Sequence, residues 1–231
     1  MAKYRKPAET KSPKRRDPVE QEDVFVAKAV EITTWAQRNQ RLAIFAIGGL
    51  ALAVAGFLYY GDYKENLNQQ AASQLEMIQR RIDSGDRAGA VPDLQVYLQR
   101  FGSTAMAGEA RVTLAQITAE LGDPTEAATI LEPVAGDVRE PMGAQAAALL
   151  AAIYEDEGNI AAAEALYMRL ADRAELSFQV RDALADAARL RASRGDVAGA
   201  IALYDRLLGE LDENDPTRGV VEMRRAELSA S

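Results

Sequence analysis

Four times along this chain a glycine is followed by an acid or amide, with an alanine five residues after the glycine. The pairs are Gly85-Asp86, Gly122-Asp123, Gly158-Asn159 and Gly195-Asp196, and the alanines are Ala90, Ala127, Ala163 and Ala200. The glycines lie 37, 36 and 37 residues apart. Repetition at that period marks helical hairpins that each lean on the next, because one hairpin cannot bury its apolar face alone. Glycine ends a first helix in the left-handed conformation at little cost, and the following Asp or Asn can accept from the free amides that open a second helix. Pro124 falls at a first helical position, where its missing N–H costs nothing. The alanine predicts close helix approach, and Leu94, Leu131, Tyr167 and Tyr204 follow one turn later on the same buried face. Ala115, Ala151 and Ala188 stand seven residues before their glycines. The first unit departs from the pattern: Ile78 replaces the small residue, and Pro92 predicts a kink or a late start for its second helix.

A second feature is an uncharged apolar run, Leu42 to Tyr60. Nineteen helical residues at about 1.5 Å each reach about 28 Å, close to the hydrocarbon thickness of a bilayer. Arg38, Arg41 and Lys64 flank the run, with Trp35 on one side and Tyr59, Tyr60 and Tyr63 on the other, like interfacial aromatic belts. The competing readings are a buried core helix and a cleaved signal peptide. Against the latter, forty-one residues precede the run and no small-x-small cleavage site follows it. An uncleaved single-pass anchor is the expectation. Gly49, Ala53 and Gly56 form a small-residue face on it, of the kind that lets membrane helices pack closely.

Charge orients the anchor. Residues 1–41 hold ten Lys/Arg against six Asp/Glu, whereas residues 42–231 hold seventeen against twenty-nine, within a net charge of −8. The basic side is expected in the cytoplasm and the acidic domain outside it. An acidic domain repels nucleic-acid phosphates, so no nucleic-acid partner is expected. Membrane lipids are expected to contact the anchor, and the basic tail could touch anionic headgroups.

Residues 1–22, with Pro7, Pro13 and Pro18 among many charges, read as a disordered basic cytoplasmic tail. In residues 23–41, Phe25, Ala29, Ile32 and Ala36 fall at helical spacing. This predicts an amphipathic juxtamembrane helix, either on the cytoplasmic face or running into a transmembrane helix at 42–60. Residues 64–83 read as one further helix, the repeats occupy 64–228, and residues 217–228 form a terminal capping helix.

With a small residue in the first helix, Gly-x at the turn, Ala in the second helix and Leu or Tyr one turn on, the chain resembles the tetratricopeptide repeat family. The layout of a cytoplasmic stub, one anchor and about four degenerate hairpins is similar to the YfgM-type ancillary subunit of the bacterial SecYEG translocon. The expected fold class is all-α: a single transmembrane helix followed by an α-solenoid of tetratricopeptide-like helical hairpins. The resemblance implies a membrane-tethered protein–protein interaction module in the bacterial inner membrane with a periplasmic domain. Its implied partners are translocon subunits, periplasmic chaperones or secreted clients; the alternative is a scaffold or assembly factor for a dedicated envelope complex.

If the hairpins stack as the family's do, the first helices line a partner-binding groove. The register puts Glu109, Val112, Gln116, Glu120, Gln145, Glu155, Asp156, Asp182 and Arg189 there, with Ala148, Ala152 and Ala185 between them. Such a mostly acidic floor with small apolar patches either suits basic or amphipathic extended segments or is simply solvated. The Lys/Asn clamp that some family members use on C-terminal carboxylates has no counterpart. Catalysis is not expected. With no His and no Cys the chain lacks the usual nucleophile systems and zinc or iron ligands, and no Gly-rich phosphate loop is present. Carboxylate runs such as Glu155-Asp156-Glu157 lack an EF-hand pattern, so neither a metal, a cofactor nor a small-molecule substrate is predicted.

Overall fold

A computed structural model describes residues 37–230. The tail at 1–22 and the stretch 23–36, including Trp35, lie outside the described residues. The described residues contain helices and no strand: α1 Gln40–Asp83, α2 Arg87–Phe101, α3 Ala107–Glu120, α4 Pro124–Leu131, α5 Pro141–Asp156, α6 Ile160–Arg173, α7 Ser177–Ser193, α8 Val197–Glu210 and α9 Arg218–Ser229. The chain divides into two units, one ending at Asp62 and the other starting at Tyr63.

In the first unit, the early part of α1 carries the apolar run. Phe45, Leu52 and Phe57 are 76%, 76% and 77% exposed, and none of the most apolar stretch is buried. A soluble core helix would show the reverse. By length and composition this helix can cross a membrane. The run and residues 64–83, which the sequence suggests as two helices, form one continuous helix of 44 residues. Gly61 does not end it, since a helical glycine costs only about 1 kcal/mol relative to alanine and no proline follows.

In the second unit, residues 63–83 of α1 and α2 form the first hairpin, followed by α3–α4, α5–α6 and α7–α8. All four turns share one geometry. Gly85, Gly122, Gly158 and Gly195 have φ of 94°, 98°, 78° and 81°. Each glycine N–H bonds the carbonyl three residues back and the next N–H the carbonyl five back, as in Gly122→Ala119 at 3.0 Å and Asp123→Thr118 at 3.1 Å. This double bond satisfies the carbonyls that a helix end leaves open, and only glycine enters that conformation without a Cβ penalty.

The next residue then opens the second helix. Asp86, Asp123 and Asp196 accept from the amides of Gly89, Glu126 and Gly199 at 3.0, 3.0 and 2.9 Å. Asn159 makes no such side-chain bond, a local exception to the expected cap. Despite Pro92, α2 starts at Arg87, directly after its cap, so the first unit is a full hairpin and does not start late. Helix α4 is only 8 residues long, since Pro133 follows its end, but Ala135 and Val138 of the ensuing loop are 2% exposed and complete the packing.

Every alanine picked out by the repeat is 0% exposed: Ala90, Ala127, Ala163 and Ala200 after the turns, Ala115, Ala151 and Ala188 before them. Leu94 and Leu131 are 0% exposed, Tyr167 and Tyr204 4%. Ile78, at the position of the small residue in the first hairpin, is 5% exposed against Ala90 and Leu94. Each buried Leu contributes about 1.5–3 kcal/mol, so the sum over hairpins, rather than any one of them, holds the stack. One apolar cluster joins α1, α2 and α3 through Tyr97, Phe101 and Leu114; the other runs from Val112 to Val221, and Ile130 packs against both. Helix α9 closes the stack with Val221, as expected of a cap.

Candidate functional site

From α2 onward consecutive helices pack on each other, α1 packs on α2 through Ala71, Leu75 and Ile78, and among the first helices α3 packs on α5 and α5 on α7. The first-helix layer is the tighter one, as on the inner side of a superhelix. Between α5 and α7 lies a cavity of about 420 Å³, with Tyr167 and Leu170 of α6 among its walls. Gln145 and Ala148 face it from α5, Phe178, Asp182 and Asp186 from α7. One hairpin further along, a cavity of about 310 Å³ lies between α7 and α9 with Tyr204 in its wall. Ala185 and Arg189 face it from α7, Val220 and Arg224 from α9. Tyr167 and Tyr204 occupy equivalent repeat positions, as do Ala148 and Ala185, so the two cavities are successive copies of one arrangement.

Of the residues expected to line a groove, Gln145 and Asp182 meet in the first cavity and Arg189 reaches the second. Glu155 and Arg189 join in a bidentate pair between α5 and α7, with Nη2 donating to Oε2 at 2.8 Å. Arg189 also donates to Asp186 at 3.1 Å. The guanidinium holds the Glu155 carboxyl below the usual carboxylate range, and its own pKa is raised in return. Glu120 pairs with Arg87 and accepts from Gln116 at 3.3 Å. Reversing charge at Glu120 or Glu155 would therefore disturb repeat stacking as well as any ligand. Val112 is 6% exposed and belongs to the core, while Glu109 and Asp156 are exposed. Gly49 and Gly56 have open space around them in the first unit.

Two cation contacts were not anticipated. Arg169 Nη2 donates to the Ala135 carbonyl at 2.6 Å, and Arg206 Nη2 to the Ala171 carbonyl at 2.6 Å. Each ties a second helix to the preceding hairpin, and Arg206 adds Asp172 at 2.7 Å. Their signal was available: Ala-Leu-Tyr-x-Arg-Leu occurs at residues 165–170 and again at 202–207. Phe178 and Asp186 were missed as well, although they stand four residues on either side of Asp182 and so share its helix face.

Stacked hairpins of this period, capped at one end and tightest along their first helices, define a tetratricopeptide-type α-solenoid. Residues 33–230 match the sequence profile of the tetratricopeptide repeat-like domain, and the chain belongs to that family. Its members generally mediate protein–protein interaction. Among solved structures, a protein of nearly identical TPR-like repeats from Podosopora anserina is 20% identical, with a TM-score of 0.55 over 71% of this chain and 88% of that one. A tetratricopeptide repeat protein from Parabacteroides merdae ATCC 43184 is 17% identical, with a TM-score of 0.57 over 70% of this chain and 61% of that one. This chain thus matches less than two thirds of the latter's length. These likenesses show the fold. No curated protein matches the chain in sequence.

Proposed function

We propose that this protein is a single-pass inner-membrane protein whose periplasmic hairpin array binds other polypeptides, working beside the Sec translocon or the periplasmic chaperones. The observation that carries the binding reading is the pair of successive cavities between first helices, each walled by a tyrosine. Cavities repeated at one interval suit an extended chain, which presents side chains at regular spacing. The unburied apolar helix supports the anchor, and the basic residues before it support a cytoplasmic N-terminus. Gly49, Ala53 and Gly56 offer a packing face for another membrane helix. The reading involves no covalent step, metal or cofactor.

Affinity purification of the full chain from detergent-solubilised bacterial membranes, with co-purifying proteins identified by mass spectrometry, tests the partner. Enrichment of translocon subunits together with many secreted clients is the expected result. A single stoichiometric envelope protein, with no translocon subunit, would replace this reading by that of a scaffold for a dedicated complex.

A further inference from the structure

The cavity between α5 and α7 holds a buried acceptor that lacks a donor. Tyr167 is 4% exposed and lines it, yet no hydrogen bond reaches its hydroxyl among the described residues. The Gln179 side chain donates through Nε2 to the Pro141 carbonyl at 3.1 Å, which leaves its buried Oε1 without a partner. A buried amide oxygen is seldom left so, and a donor entering the cavity would satisfy Gln179 Oε1. At the same cavity stand two carboxylates. Asp186 has Arg189 at 3.1 Å, but that guanidinium is shared with Glu155. Asp182 has no ion pair among the described residues, and Arg181, its neighbour in the chain, is engaged with Asp215 at 3.3 Å. Burial, and then the charge of Asp186, push the Asp182 carboxyl up. Burial, followed by Asp186 and Glu155, pushes the Tyr167 phenol up to about 12. In both groups burial is the larger cause, and the neighbouring carboxylates add to it. Phe178, 52% exposed, offers an aromatic face at the cavity.

We infer that this cavity is a pocket for a cationic side chain, lysine or arginine, carried by an extended polypeptide. The inference rests on the polypeptide-binding reading and adds the chemistry that is recognised. A cation brings donors and positive charge together. It can donate to Gln179 Oε1 and the Tyr167 oxygen, neutralise Asp182, and lay its stem or charge against Phe178. An acidic residue would meet two carboxylates and no free donor cation. A purely apolar one would leave the orphaned Gln179 oxygen unpaired.

The test uses the full chain in neutral detergent and fluorescence anisotropy of three labelled peptides, alternating Leu with Arg, Leu with Gln, and Leu with Glu. The Arg peptide is expected to bind at least about tenfold tighter than the other two, as follows from losing a charge-assisted bond. Asp182→Asn should weaken it by about tenfold, and Tyr167→Phe by about threefold. Asp172→Asn, on α6, should change it less than about twofold. Melting temperature separates binding from folding. Tyr167→Phe removes an unpartnered hydroxyl, so it should leave stability equal or higher while weakening the peptide. Equal affinity for the Arg and Gln peptides, or an unchanged Arg-peptide affinity in Asp182→Asn, would overturn the cation pocket yet leave polypeptide binding intact. Binding of none of the three peptides would overturn the pocket too. Failure of the wider reading appears separately, as absence of polypeptide partners in the membrane purification.

Discussion

Replacing Ala163 by tryptophan is expected to lower the melting temperature of the full chain in detergent by on the order of 6 to 12 °C. Ala163 is 0% exposed and sits five residues past the Gly158 turn, on the face of α6 that packs into the core. The space there was set by a methyl group. An indole forces the helices apart, at a cost of about 3 kcal/mol or more, and for a chain of this size each kcal/mol moves the midpoint by about 2–4 °C. The damage does not stay local, because α6 also packs on α7 and each hairpin stabilises the next. Ala165 supplies the control: it lies on the same helix but is exposed, so Ala165→Trp should stay within about 0.5 kcal/mol of the parent. Circular dichroism at 222 nm measures both. Equal midpoints for the two variants would mean that the repeat register is misassigned.

The second large effect is all-or-none. Protease added to spheroplasts is expected to destroy the domain beginning near Tyr63 while leaving a protected N-terminal fragment. The apolar helix would shield the segment within the bilayer, and the ten basic residues of 1–41 would hold the N-terminus in the cytoplasm. Immunoblotting with antibodies against each end reads the outcome. Survival of the C-terminal domain until the spheroplasts are lysed would reverse the topology and remove periplasmic clients from the proposal.

What could be read in advance was local. A glycine at a positive φ, an aspartate that caps three residues ahead and an alanine that permits close approach each act within one turn, so their spacing alone carries the fold. Ala127, Ala163 and Ala200 were legible for that reason. The contacts that tie one hairpin to the next were not, since they join residues far apart in the chain, 34 positions for Glu155 with Arg189 and for Asp172 with Arg206. No short window holds both partners. This also altered the reading of the site: Glu120 and Glu155 looked like free acids on a groove and are held by Arg87 and Arg189. Exposed pairs of this kind contribute under about 1 kcal/mol each, so they favour the stacking register more than they stabilise it. Asp182, by contrast, has no ion pair among the described residues and lines the cavity, and nothing in the sequence separates it from its neighbours. Its distinction comes from where α5, α6 and α7 converge, and from two aromatic side chains that line the same cavity, Phe178 and Tyr167. The continuity of α1 through Gly61 escaped for the opposite reason: a local helix-weakening residue was outweighed by the long helical segments on both sides.

Photocrosslinking in intact cells probes the central proposition most directly. An amino acid with a photoreactive side chain replaces Gln145, on the cavity between first helices, or Ala165, exposed on a second helix. Irradiation should yield polypeptide adducts from position 145, reduced by Asp182→Asn, and few or none from position 165. Adducts from position 165 with none from position 145 would contradict the account.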